Sequence, residues 1–273
     1  MVGGHPRLYD SHMPWLSAQK DFRSPHRLGF CYICGRGFEA GERRNRDHVP
    51  PTSIFAKGDR TPSLILPAHP QCNERQSGDD EAIGQLISLL HGQALAPRSK
   101  LRAALRTMPG SPVPVGLVTG IHLRRIIARW VCGFHAALYR EALIGAAMRV
   151  CLPFPASSAP DPQAVQPVAA DHVKLVRLLK QHRVQDLLDR IACRNGRLRY
   201  ECVWLPIKAS GGWRCVFCMD LYDWARLGDT RHYPRRGCVG YYIPDGEIPA
   251  AATRGAPYPF PISNHEPLDP FAQ

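Results

Sequence analysis

Two pairs of metal-liganding side chains, Cys31-x2-Cys34 and His69-x2-Cys72, constrain this chain more than any other feature. An x2 spacing lets both side chains of one tight turn reach the same tetrahedral ion, and a second pair from a distant segment closes the shell. Cys31, Cys34, His69 and Cys72 are therefore read as a structural Cys3His zinc site. The plainer alternative is two buried thiols and a surface imidazole.

The chain has 273 residues, 44% of them hydrophobic, enough for one large domain or two small ones with real cores. No run of 18 apolar residues occurs, and the first residues lack the basic start and apolar middle of a secretory signal. The expectation is a cytoplasmic protein with no membrane partner. Its ten cysteines should then stay reduced, which favours metal ligation over disulfides for closely spaced pairs.

Between the two pairs stands Asp47-His48-Val49-Pro50-Pro51, and Asn73 follows the last ligand directly. A hard oxygen ligand beside an imidazole is what metal-assisted phosphodiester hydrolysis needs: the acid can hold Mg2+ while the imidazole activates water. Asn73 could offer its carbonyl oxygen to the same ion, or simply cap a helix. Asp79, Asp80 and Glu81 could add an outer carboxylate, but read better as acids of a helical first turn.

This order of residues over 31 to 81 resembles the HNH endonuclease family, in particular its zinc-stapled members of ββα-metal type. The resemblance implies an N-terminal ββα-metal (HNH/treble-clef-like) zinc module. In it His48 would be the general base, and Asp47 and Asn73 would ligate a catalytic Mg2+ or Mn2+. Cys31, Cys34, His69 and Cys72 would hold structural zinc. The sequence departs from the family pattern in three places: His69 stands where many relatives have Cys, no Asn falls near Ser63 or Leu64, and Asn73 replaces a final His.

The expected architecture is α+β: an irregular arm (1 to 28), the HNH-like module (29 to 92), a helical region (93 to 151), a Pro-rich linker (152 to 170), and a basic helix with a β-hairpin (171 to 273). Apolar periodicity predicts helices over Asp79 to Leu90, Ile121 to about Ala147 and Val173 to about Cys193. Arg199 to Leu205 and Trp213 to Leu221 read as the hairpin, and the chain after Gly240 as mostly irregular. Cys215-x2-Cys218 repeats the knuckle spacing, but strand alternation explains it more cheaply than a second zinc.

A net charge of +12 suits a polyanion. Residues 1 to 81 hold 11 Lys/Arg and 10 Asp/Glu, and residues 82 to 273 hold 24 and 13, so the basic excess is expected in the later part. Lys100, Arg102 and Arg106, or Lys174 to Arg183, could track phosphates, and Trp204, Trp213, Tyr222 and Trp224 could stack bases, although solvated faces and packed aromatics are the plainer readings. The expected function is metal-dependent endonuclease activity on nucleic acid, with DNA favoured over RNA; a homodimer is allowed, though no heptad marks one. The rivals are a noncatalytic zinc module that binds nucleic acid and a zinc-organised protein-interaction module.

Overall fold

A computed structural model describes residues 27–56, 64–90, 101–107, 114–151, 170–193, 196–207, 210–221 and 237–257. Most of the expected N-terminal arm and linker, with Tyr222, Trp224, Lys100 and Ser63, lies outside these residues.

The first unit begins with β1 (Asn45–Val49) and β2 (Leu64–Ala68), paired antiparallel so that Asp47 faces Leu66 and His48 faces Ile65 across the ladder. A short helix α1 (Pro70–Glu74) follows at once, with His69 as its N-cap and Pro70 at the first helical position, where a missing N–H costs nothing. The longer α2 (Ser77–Leu90) comes next, with Asp79 and Asp80 in its first turn. Next comes an antiparallel pair, β3 (Arg102–Thr107) and β4 (Pro114–Thr119).

Helix α3 (Leu123–Tyr139) is buried along most of its length, from Ile126 to Tyr139. One side packs on the β1–β2 hairpin through Gly133, where a Cβ would lie 2.6 Å from Val49 Cγ1; only glycine lets helix and hairpin approach so closely. The other side carries Phe134 against Tyr200 of the main sheet, ring centroids 4.8 Å apart.

That sheet is five-stranded and antiparallel, in the order β5 (Ala147–Cys151), β9 (Cys238–Ile243), β8 (Trp213–Leu221), β7 (Leu198–Pro206), β6 (Asp189–Cys193). Its two faces are both apolar, which is why β7 and β8 are buried almost continuously. Strand alternation sends Cys202, Trp204, Cys215 and Phe217 into the core shared with α3. Val203, Leu205, Val216 and Cys218 go into a second core under α4 (Ala170–Val184), with Leu175, Leu178 and Leu179. The protein is thus α+β, with antiparallel sheets. No helix of the described residues is long and apolar enough to cross a membrane.

Several local expectations change. Helix α3 stops at Tyr139, where Arg140 takes a left-handed conformation (φ 60°), and β5 occupies Ala147–Cys151. Helix α4 stops at Val184, and the apolar positions expected to prolong it, such as Ile191, belong to β6. The span after Gly240 opens with the second half of β9 (Cys238–Ile243), an interior strand. The segment read as metal-organised also has a true core: Tyr32, Val49, Ile54, Phe55, Leu66 and Ile83 are buried in the same apolar cluster as α3 and the sheet.

Candidate metal centre

The first Cys pair sits in a turn closed by Gly35 N–H donating to the Cys31 carbonyl (2.8 Å) and Cys31 N–H donating to the Arg36 carbonyl (2.9 Å). Gly35 has φ 75°, a left-handed conformation that glycine adopts without strain, and a Cβ there would collide with Ile144. The second pair straddles the start of α1: His69 is extended before Pro70, and Cys72 lies in the first turn. Pairing of β1 with β2 brings these two turns together.

One donor atom from each of Cys31, Cys34, His69 and Cys72 lies within 4.8 Å of all the others. Cys34 Sγ is 3.3 Å from His69 Nδ1. A thiolate at about 2.3 Å and an imidazole at about 2.0 Å from one tetrahedral zinc sit about 3.5 Å apart, so the donor set fits the ion. Cys31 Sγ accepts the His69 backbone N–H at 3.4 Å. The far imidazole nitrogen, Nε2, lies 3.2 Å from Glu42 Oε1, the outer carboxylate that commonly fixes a zinc-bound imidazole. Phe38 packs on the same ring, centroids 4.8 Å apart.

The thiols make conflicting demands. Burial raises the Cys34 thiol, but hydrogen bonds from Arg36, Cys31 and His69 outweigh it and bring the group down to about 7. Burial, reinforced by neighbouring Cys31 and Cys34, pushes Cys72 up to about 12, and burial also raises Cys31. Three thiolates cannot share this space without a cation; zinc would hold all three and release protons on binding.

The other expected site residues separate by strand alternation. Asp47 points inward and is 7% exposed, its Oδ2 accepting the Tyr32 hydroxyl at 2.5 Å. Burial raises its pKa, opposed by the Tyr32 hydrogen bond and by Arg129 and His48. His48 points to the opposite face of β1 and is half-buried. Asn73 is half-buried within α1; its N–H donates to the His69 carbonyl (3.1 Å), so the N-cap is His69. A Mg2+ or Mn2+ ion that keeps part of its water shell needs an open carboxylate. Asp47, as oriented, is instead a buried acceptor with a guanidinium nearby, which does not fit that ion.

Asp79 and Asp80 of α2 face α3, whereas Glu81 is exposed. Asp79 takes a bidentate pair from Arg125 (2.6 and 2.7 Å), and Asp80 pairs with Arg129, whose side chain is 1% exposed. Burial lowers the Arg129 pKa, but Tyr32, Asp80 and Asp47 outweigh it and the group stays charged. Tyr32, Glu42, Arg125 and Arg129 were not legible as site neighbours, because each meets its partner through pairing distant in sequence. Cys215 and Cys218 fall on opposite faces of β8 and form no knuckle.

No protein-family model, curated protein or solved structure matches this chain.

Proposed function

We propose that residues 29 to 92 form a zinc-stapled module of HNH type and that the chain hydrolyses phosphodiester bonds of nucleic acid. The observation that carries this reading is the convergence of Cys31, Cys34, His69 and Cys72 across a β-hairpin that leads straight into a helix. That is the connectivity the resemblance implies, with His48 on the outward side of the first strand. Zinc would hold the two turns in register. His48 would take the proton of the attacking water, a role that suits a half-exposed imidazole. Asp47 and Asn73 are the ligands the resemblance implies for Mg2+ or Mn2+, but Asp47 is turned to Tyr32, so no step is assigned to that ion.

That same contact favours a second reading, a noncatalytic zinc module that binds nucleic acid and uses Asp47 as a buried structural acceptor. Plasmid nicking with Mg2+ or Mn2+ separates the two, comparing zinc-loaded wild type with His48→Ala. Metal-dependent nicking lost in the variant, with zinc content and fold intact, is the expected result. Equal inactivity of both proteins would leave the binding module.

A further inference from the structure

Within the near-neutral charge count of the first 81 residues the segregation is partial: Glu39, Glu74 and Glu81 are exposed, but three aspartates are withdrawn. Asp47, Asp79 and Asp80 turn toward Tyr32, Arg125 and Arg129. Arg43, Arg44 and Arg46 are exposed, and none of them makes an ion pair with a described residue. Arg46 and His48 share the outward face of β1, opposite to Asp47 and Val49, because side chains alternate along a strand. Across the ladder Arg46 faces Pro67, so no carboxylate of β2 competes for it. Glu42, in the preceding loop, is engaged with His69.

Arg44 immediately precedes β1 and is held in place: its guanidinium lies 4.6 Å over the Phe38 ring, which packs on the zinc-site His69. Residues two apart on an extended chain are about 6.8 Å apart, close to the separation of neighbouring phosphates along a nucleic-acid strand. Several cations elsewhere are committed, although Arg27, Arg36, Arg75 and Arg124 are exposed as well. Arg125, Arg129, Arg149, Arg183 and Arg190 pair with carboxylates, and Lys174 lies 3.9 Å from Asp171. On α4, Arg177 and Lys180 are exposed and form a rival surface.

We propose that the outward face of β1 is the docking surface for a nucleic-acid backbone, Arg44 and Arg46 taking successive phosphates and leading the strand to His48. This deepens the reading above and rests on its nucleic-acid partner, but not on catalysis. Phosphate contacts of this kind set register and affinity without reading sequence, and DNA and RNA present the same group.

The test is binding of labelled DNA and RNA oligonucleotides, single-stranded and duplex, by the full zinc-loaded chain without Mg2+ or Mn2+. Fluorescence anisotropy is followed from about 50 to about 200 mM salt. Wild type is compared with the double variant R44A/R46A and with R177A/K180A, each checked for unchanged zinc content and circular dichroism. The expected result is an affinity at least about tenfold weaker for R44A/R46A, with a salt slope shallower by about 1.4 on single strands and about 1.8 on duplex. R177A/K180A should match wild type, and R44K/R46K should recover most of the slope. Binding with an unchanged slope in R44A/R46A, or a loss confined to R177A/K180A, overturns the docking surface while leaving a nucleic-acid protein. Absence of wild-type binding to every probe overturns both.

Discussion

Cys31-x2-Cys34 and Cys215-x2-Cys218 share one spacing and reach opposite ends. In the first, left-handed Gly35 closes a turn that aims both sulfurs at one point with His69 and Cys72. In the second, β8 runs straight through, so Cys215 joins the core under α3 and Cys218 the core under α4. Spacing therefore names a knuckle only where the backbone can turn. The residues around Cys215, with Trp213, Val216 and Phe217, prefer an extended chain, whereas Gly35 and Gly37 follow the first pair.

The sharpest way to break this contrast is to count metal. Purified protein should carry one zinc per chain, lost in Cys31→Ala and retained in Cys215→Ala and Cys218→Ala. Structural zinc contributes on the order of 10 kcal/mol, so chelation should melt the first unit, seen as a large drop in thermal midpoint. A second zinc that disappears with Cys218→Ala would sink the comparison.

Next in size is the seam between the two regions. Arg129→Met removes the cation facing Asp80 and Asp47, leaving buried carboxylates uncompensated, and should cost about 3–5 kcal/mol in chemical denaturation. Arg129→Met with Asp80→Leu should recover part of that loss. If the single variant costs less than about 1 kcal/mol, the charges are not sealed in as described.

A comparable but pH-dependent effect belongs to the contact between α3 and the sheet. His135 is buried, its Nδ1 2.9 Å from the Tyr242 hydroxyl, and burial lowers its pKa to about 4. Folded protein thus keeps the ring neutral while the unfolded chain protonates near pH 6.5. Stability from this group is full above about 6.5 and falls as pH drops toward about 4, by about 3 kcal/mol in all. The difference between wild type and His135→Gln across that window should show this slope. A parallel pair of curves would mean the ring is accessible. The smallest effect expected is Val184→Lys: the side chain is 84% exposed, and its replacement should change stability by no more than about 0.5 kcal/mol.

Legibility in the sequence followed the range of the interactions. Helix α2 and the β7–β8 pair were readable because a helical apolar period and a strand-rich run around a Gly-Gly turn are local signals. Strand β9 was not, since its place between β5 and β8 depends on chain far away in sequence, and Gly240 is needed there because a Cβ would strike the Arg149 carbonyl. Strand β6 was hidden because Leu187, Leu188 and Ile191 continue the spacing of α4, and only left-handed Asp186 (φ 54°) breaks it.

For the site, the sequence by itself determined ligand chemistry: which atoms can bind zinc, and that two x2 pairs can share one ion. Those properties reside in the side chains and their immediate spacing. Tertiary structure decided orientation: Asp47 inward to Tyr32, His48 outward beside Arg46, Asp79 and Asp80 of α2 consumed by α3. The reason is that a strand offers each neighbouring pair two opposite faces, and only the packing of α3 against the hairpin settles which of those faces is buried.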